Sequence, residues 1–347
     1  MTTSTYEETA AVPVIDLADD GQAVADRIVG QVARAATDLG FFQVVNHDLP
    51  EELVARVWEC TEAFFALPMA SKRAIARSKT NSRGYYDREL TKNRRDLKEV
   101  LDLAHVPYPD AADDDPRNFH TVDGVNQWPE LEGFRSTMIE YLAACEALAL
   151  RLLSAFSQAL GEAPDHLHRH FGPDHTSFVR LNYYPTSDPL TEEEAAADDV
   201  TPLGDMALHH HTDAGAMTLL LQDQVGGLQV LVGDTWIDVE PIPGAIVVNF
   251  GDMMQVWSND RFKAALHRVS PRTTEARYSL PYFFNPSYDT EYAPLPGAVG
   301  PGERARYRPL NWGDFRKARA DGDFADYGHE IQIADYRIEN DEVGSTR

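Results

Sequence analysis

The sequence has little cysteine and no long apolar run. Only two cysteines, Cys60 and Cys145, occur in 347 residues. Both fall in amphipathic, helix-like runs, which favours buried free thiols over a disulfide or a metal site. No apolar run approaches the roughly 20 residues that a membrane-spanning helix needs. The chain therefore lacks the features of a disulfide-rich secreted protein and of an integral membrane protein.

Positive charge is scarce as well. The 31 Lys and Arg residues stand against 56 Asp and Glu, which gives a net charge of −25. Such an acidic surface repels nucleic acid and anionic membranes, so we expect neither as a partner. Residues 1–10 lack a basic segment followed by an apolar core, so we expect no secretory signal and a cytoplasmic protein. No feature indicates the oligomeric state.

Hydrophobic periodicity divides the chain into two kinds of structure. Before residue 176, apolar residues recur at helical spacing over 21–39, 50–66 and 128–160. From Ser177 onward, short strand-like segments alternate with turns, as in a double-sheet jelly roll. The predicted fold is therefore mainly β with flanking helices, a jelly-roll (double-stranded β-helix) core and a helical N-terminal region.

A short histidine-rich run, residues 208–213, is the strongest candidate for a metal site. Because alternate side chains of a strand share one face, His211 and Asp213 point to one place if the run is extended. His267 is the best candidate for a third ligand. Two imidazoles and one carboxylate leave coordination positions open, as a non-haem Fe(II) oxygenase requires. Taken alone, His-x-Asp also fits an ordinary turn pair.

Other histidines are weaker candidates. His210 has the opposite strand parity to Asp213, whereas His209 shares the parity of His211 and could line a substrate pocket. A further group occupies a helix-to-strand connection without a carboxylate at a recognisable spacing, and His105 lies in a separate predicted strand. We favour structural roles for this group, His166, His168, His170 and His175, and for His105.

A second constellation suits a carboxylate ligand. Arg277 and Ser279 stand two apart in a strand-like run, so a guanidinium fork and a hydroxyl share one face. Arginine binds carboxylates through two parallel hydrogen bonds. Asn182 and Tyr184 share a face of another predicted strand.

These residues carry a family resemblance. The sequence resembles the Fe(II)/2-oxoglutarate-dependent dioxygenases of the isopenicillin N synthase-like family over roughly residues 12–286. The matching features follow the family's order and spacing. They are Val12–Leu17, Gly40–Phe42, Val45–His47, Asn182–Pro185, His211–Asp213, Val225–Val230, Trp236, Pro243–Gly244, Asn249–Asp252, Ser258–Asn259, His267–Val269 and Arg277-x-Ser279.

The resemblance implies a reaction and its cofactors. Fe(II) would be bound by His211, Asp213 and His267, with 2-oxoglutarate and O2 as co-substrates. Arg277 and Ser279, with help from Tyr184 and Asn182, would hold the far carboxylate of 2-oxoglutarate. A small-molecule substrate would be hydroxylated, desaturated or cyclised, with release of succinate and CO2.

The resemblance also suggests a domain division and a substrate pocket. Residues 1–175 would form an α/β region packed on the barrel, 176–290 the jelly-roll core, and 291–347 a tail over the barrel mouth. Pocket positions differ with substrate in this family, so the substrate itself is not predicted. The candidate pocket residues are Tyr85, Phe178, Arg180, Met206, His209 and Phe284.

Two other functions remain open on the sequence. Arg-x-Ser also occurs in relatives that use no 2-oxoglutarate, so an iron oxidase that forms a ring or ethylene is one alternative. The other is a catalytically idle binding or sensor protein on the same fold, which the intact triad disfavours. Arg180 leaves a choice as well, between binding an acidic substrate and forming a surface ion pair.

Overall fold

A computed structural model describes residues 12–18, 22–91, 93–112, 115, 124–272, 274–322 and 331–338. Residues 1–10, on which the expectation about a secretory signal depends, lie outside these ranges. Within them, no helix combines the length and the apolar character needed to cross a membrane.

Seven α-helices are present in the described part of the chain, and four of them precede residue 176. Short 3₁₀ turns cover His168–His170, Pro296–Ala298 and Ile333–Tyr336. The helices are α1 Gln22–Asp38, α2 Glu51–Phe65, α3 Met69–Arg73, α4 Phe134–Ala159, α5 Glu192–Ala195, α6 Asp252–Trp257 and α7 Trp312–Gly322.

Sixteen strands account for most of the remaining regular structure that is described. They are β1 Val14–Asp16, β2 Phe41–Val45, β3 Gly84–Tyr86, β4 Leu90–Thr91, β5 Arg94–Arg95, β6 Glu99–Ala104, β7 Phe178–Tyr184, β8 Leu208–His211, β9 Met217–Gln222, β10 Leu228–Val232, β11 Thr235–Asp238, β12 Ile246–Phe250, β13 His267–Val269, β14 Arg277–Phe284, β15 Glu291–Tyr292 and β16 Leu310–Asn311.

Two sheets form the body of the fold. The large sheet has eight strands in the order β1-β2-β12-β9-β14-β7-β6-β3, and the small sheet has four in the order β11-β10-β13-β8. Apolar side chains from both sheets, among them Leu220, Val230 and Val247, pack together between them. This arrangement of two packed sheets with helices outside them is the predicted jelly-roll core with flanking helices.

Helix α4 packs against the large sheet and against α1 and α2. Its predicted apolar stripe, which includes Met138, Leu148 and Phe156, is fully buried. The helix begins at Phe134, later than the predicted start near Trp128. Gly133 precedes it with φ of 73°, and that left-handed conformation cannot belong to a right-handed helix.

Strands on both sides of residue 176 share the large sheet. β1, β2, β3 and β6 come from the N-terminal range, and β7, β9, β12 and β14 come from the core range. The domain division at residues 175 and 290 stays a prediction. The predicted strand over 208–213 is shorter in the structure, because β8 ends at His211.

Candidate active site

A cavity of about 640 Å³ is lined by the candidate metal ligands and by the candidate carboxylate-binding residues. Its volume falls within the range of small-molecule binding sites. The wall from β7 presents Phe178, Arg180, Asn182 and Tyr184, which are alternate residues of one strand face. The wall from β14 presents Arg277, Ser279, Pro281 and Phe283 in the same way.

The structure brings the three predicted metal ligands together. His211 and His267 are directly paired across β8 and β13. Nε2 of His211 lies 3.6 Å from Asp213 Oδ1, and Nε2 of His267 lies 3.8 Å from the same oxygen. One ligand atom from each residue lies within 4.8 Å of the others, a spacing that one metal ion can span.

Both imidazoles are oriented for metal binding. Nδ1 of His211 lies 2.9 Å from the carbonyl oxygen of His209, and Nδ1 of His267 lies 3.0 Å from that of Ala265. Because a carbonyl only accepts hydrogen bonds, each Nδ1 carries the hydrogen and each Nε2 offers a lone pair. Burial, together with the neighbouring His267, lowers the pKa of His211 to about 3, so this ring is neutral at physiological pH.

Asp213 is held in a single orientation. Its Oδ2 accepts hydrogen bonds from Thr218 Oγ1 at 2.5 Å and from Asn249 Nδ2 at 2.7 Å. Burial opposes ionisation, but the two imidazoles and these hydrogen bonds hold the pKa of Asp213 below its usual value. Its Oδ1 therefore faces the histidines as a carboxylate oxygen. The donor set fits Fe(II).

A bulge in β8 sets which histidine faces the cavity. His267 pairs with His211 and Val269 pairs with Leu208, so β8 has one residue more than β13 over this stretch. An extra residue reverses the strand parity. Leu208 and His211 consequently both line the cavity. His209, predicted to share the face of His211, instead places Nδ1 at 2.7 Å from Asp96 and lies outside the lining.

The carboxylate-binding constellation lies in the same cavity. Arg277 donates to Ser279 Oγ at 3.2 Å and to Gln222 Oε1 at 3.1 Å, and its guanidinium stacks 5.0 Å from the Tyr184 ring. Asn182 Nδ2 lies 3.4 Å from Ser279 Oγ. Nε of Arg277 and Nε2 of Gln222 are buried donors without a hydrogen-bond partner among the described residues. Buried unpaired donors beside an arginine suit an anionic ligand.

Two of the six predicted pocket residues, Phe178 and Arg180, line the cavity. The Phe284 prediction is corrected, because Phe284 faces the core and its neighbour Phe283 has the parity of Arg277 and lines the cavity. Tyr85 is also outside the lining, since its buried hydroxyl donates to Glu99 at 2.6 Å. Met206 lies in a loop outside the lining, where its carbonyl accepts from the Leu97 amide.

Arg180 belongs to a buried ionic network. It makes two hydrogen bonds to the Asp102 carboxylate, at 2.7 and 2.8 Å, and a third to Glu89 at 2.8 Å. Lys98 lies 2.9 Å from the same Glu89. Burial alone would raise the pKa of Glu89, but Arg180, Lys98 and Arg77 hold it well below its usual value. Arg180 is therefore part of an internal network and not a surface ion pair.

Sequence reasoning missed several residues of the site. Thr218 and Asn249 are cross-strand neighbours in β9 and β12, and only Asn249 belongs to a quoted motif. Gln222 ends β9 with no sequence signal of its own. α7 contributes Trp312, Arg316 and Arg319 to the lining. A tail over the mouth is implied by the resemblance, but the sequence does not indicate which of its side chains enter the cavity.

Two imidazoles and one carboxylate beside a cavity that also contains a buried arginine are the side chains expected of a non-haem iron oxygenase on a jelly roll. Comparisons with known proteins agree with this class. Residues 175–286 match the 2OG-Fe(II) oxygenase superfamily, and residues 12–131 match the family described as non-haem dioxygenase in morphine synthesis N-terminal.

Similar proteins extend over most of the chain. The 2-oxoglutarate-Fe(II) type oxidoreductase hxnY of Emericella nidulans is 34% identical over 325 residues, which cover 88% of each chain. The crystal structure of JOX2 with 2OG, Fe and JA is 31% identical, with a TM-score of 0.73 over 88% of this chain and 84% of JOX2. A full-length Neurospora crassa protein solved with alpha-KG and thymine is 25% identical, with a TM-score of 0.75 over 92% of this chain and 98% of that one.

The chain belongs to the 2OG-Fe(II) oxygenase superfamily. It is an Fe(II)- and 2-oxoglutarate-dependent enzyme that uses O2 to oxidise a substrate, with release of succinate and CO2. The predicted family, reaction class and cofactors are thereby confirmed.

Proposed function

We propose that His211, Asp213 and His267 hold the iron, and that Arg277 and Ser279 hold the far carboxylate of 2-oxoglutarate. The observation that carries this assignment is the shared cavity, because both constellations line it. Asn182 and Tyr184 complete the clamp from the neighbouring strand. Phe178 and Arg180 belong to the wall that faces the substrate.

Each group has a distinct task. Fe(II), bound with 2-oxoglutarate and O2, supplies the oxidising power that cleaves a substrate C–H bond. In the neutral rings, the carbonyls of His209 and Ala265 hold the hydrogen on Nδ1, so that Nε2 presents its lone pair to the metal. Thr218 and Asn249 fix the Asp213 carboxylate. Arg277 orients the co-substrate by its carboxylate, and apolar residues such as Phe178 and Phe283 exclude water from the reacting region.

The substrate is a small molecule that fits beside 2-oxoglutarate in this cavity. The solved relatives form complexes with JA and with thymine, and we extend only the size class of these ligands to this chain. The net charge of −25 supports the absence of a nucleic-acid partner. Two free thiols, half-buried Cys60 and buried Cys145, support a reducing, cytoplasmic setting.

The clamp can be tested by anaerobic titration of Fe(II)-loaded protein with 2-oxoglutarate, followed by visible absorption. We expect a weak metal-to-ligand charge-transfer band in the wild type. Arg277→Ala removes a charge-assisted, two-pronged anchor, so the 2-oxoglutarate concentration at half-saturation should rise at least about 10-fold.

Arg268→Ala is the matched control. Arg268 is next to His267, stacks 4.1 Å from the Trp236 ring and is absent from the cavity lining. The Arg268→Ala variant should bind 2-oxoglutarate with the same half-saturation concentration as the wild type. An equal loss in both variants would contradict the role of Arg277, and bound iron with no band in the wild type would contradict the chelate.

A further inference from the structure

The cavity reverses the charge of the rest of the protein. The chain has 56 acidic and 31 basic residues, whereas basic side chains outnumber acidic ones among the described residues of the lining. The acidic lining residues are Glu89 and Asp213, and the basic ones are Lys98, Arg180, Arg277, Arg316 and Arg319.

Most of these charges already have a role. Asp213 belongs to the metal site and Arg277 to the 2-oxoglutarate clamp. Lys98, Arg180 and Glu89 are joined in the buried network of β6 and β7. The other two basic residues of the described lining, Arg316 and Arg319, both come from α7.

α7 is fixed against the barrel by its apolar face. Trp312 and Phe315 are fully buried, and Trp312 Nε1 donates to Thr176 Oγ1 at 2.9 Å. Arg316 and Arg319 are three residues apart and are therefore neighbours on one side of the helix. Both are half-buried and both line the cavity.

The two arginines have different surroundings. Arg319 donates to the carbonyl of Ile331 at 3.1 Å and to that of Thr212 at 3.4 Å. Thr212 lies between two of the metal ligands, so Arg319 ties α7 to the metal-binding loop. The Arg316 guanidinium lies 5.9 Å from the ring of Phe178, which stacks on Phe283 at 4.7 Å.

We propose that the substrate is an apolar carboxylic acid whose carboxylate binds Arg316 and whose body lies along Phe178 and Phe283. The guanidinium fork matches a carboxylate, and the stacked rings match an apolar chain or ring. Arg319 is a positioning residue that keeps α7 in register with the metal loop. This inference rests on the proposed function, because it places the substrate beside the same iron and 2-oxoglutarate.

Isothermal titration calorimetry under anaerobic conditions tests the inference on protein loaded with Fe(II) and 2-oxoglutarate. The probes are phenylacetate, hydrocinnamate and octanoate, each compared with its primary amide. At least one acid should bind about 10-fold more tightly than its amide, because only the acid forms a charge-assisted hydrogen bond.

Arg316→Gln should remove this preference, and Arg316→Lys should restore part of it. Lys317→Gln removes the same charge from the exposed side of α7 and should leave the preference unchanged. Thermal unfolding of all variants checks that α7 remains folded. Phenethyl phosphate is included to separate carboxylate from phosphate recognition.

Equal binding of acids and amides, or no binding of any acid, would overturn the inference. So would tighter binding of phenethyl phosphate than of every acid, or an unchanged preference in Arg316→Gln. The metal-to-ligand charge-transfer band is measured on the same preparations. If bound iron gives no band, the proposed function fails; if the band is present without a preference for acids, only this inference fails.

Discussion

Among the residues that the structure describes, two clusters contain two histidines and one carboxylate, and one of the two is arranged as a metal site. The proposed iron site is His211, Asp213 and His267. The second triad is His105, Glu146 and His175, whose ligand atoms also lie within 4.8 Å of one another. Proximity therefore does not separate the two clusters.

The partners of the imidazoles do separate them. In the iron site each Nδ1 donates to a carbonyl, which leaves Nε2 free to bind a metal. In the second triad, Nδ1 of His175 accepts a hydrogen bond from the Ser177 amide at 3.3 Å. The hydrogen of the neutral ring is then on Nε2, which lies 3.4 Å from Glu146 Oε1. This arrangement favours an imidazole–carboxylate pair over a metal ion.

The surroundings differ too. The iron site opens on the cavity, whereas none of the second triad is among its described lining residues. The rings of His105 and His175 contact each other with centroids 3.8 Å apart and planes inclined by 34°. They lie where the end of β6, α4 and the segment before β7 meet. The second triad therefore joins three elements of the fold, and this comparison can be tested from both sides.

The largest effect should come from removing an iron ligand. His211→Ala should reduce bound iron and 2-oxoglutarate turnover by more than about 100-fold. Loss of a residue that only supports a ligand lowers metal affinity or activity by up to about 100-fold, and loss of the ligand itself should exceed that. His105→Ala is the matched change in the second triad and should leave iron content at one per chain. Iron analysis of both purified proteins checks the pair, and parallel iron loss would contradict the distinction.

A smaller effect should follow from loosening the Asp213 carboxylate. Thr218→Val keeps the side-chain volume but removes the hydroxyl that donates to Oδ2, so iron affinity should fall about 10-fold. Thr61→Val removes another buried hydroxyl, which bonds a carbonyl within α2. Competition with a chelator measures both variants. Equal affinities in Thr218→Val and Thr61→Val would show that the hydroxyl does not support the ligand.

The smallest effect should be the acid sensitivity that Glu146 contributes. Its interaction with His175 lowers the pKa of Glu146 below the ordinary value of 4.5. The contribution of the Glu146 carboxylate to the free energy of unfolding is therefore complete above about pH 4.5. It disappears as the pH falls through the lowered pKa that Glu146 has in the folded state. Chelator-treated Glu146→Gln should lose less stability than the wild type across this interval, measured by urea unfolding.

Glu140→Gln is the control on the same helix, since Glu140 is exposed and forms only a surface pair with Arg56. It should retain the pH dependence of the wild type. If Glu146→Gln follows the same curve as the wild type, the imidazole–carboxylate pair contributes nothing to stability.

Residues that act in local, regular structure could be predicted from the sequence. The parity of β7 and β14 correctly grouped Asn182 with Tyr184 and Arg277 with Ser279 on faces that line the cavity. Parity misplaced His209 because it assumes an uninterrupted ladder, and the bulge in β8 depends on pairing with β13. Phe284 was chosen against the parity of its own strand, and the structure places Phe283 in the lining instead.

Long-range pairing accounts for most of what the sequence did not predict. Glu146 and His175 are far apart in sequence, so no spacing pattern reveals the second triad. The same holds for Arg180, whose partners Glu89 and Asp102 come from segments that precede β7 by many residues. Side chains from α7 enter the cavity only because Trp312 and Phe315 anchor that helix to the barrel.

The proposed iron ligands are divided between the two sheets of the fold. His211 and His267 are mounted on the small sheet, whereas the Asp213 carboxylate is fastened to Thr218 and Asn249 of the large sheet. A bound ion would therefore link the two sheets, and its affinity depends on how closely the two sheets are held together. Amide hydrogen exchange in β8 and β13 should accordingly slow when metal is added, and far more than in β6. The size of this change would measure how strongly the metal stabilises the contact between the two sheets.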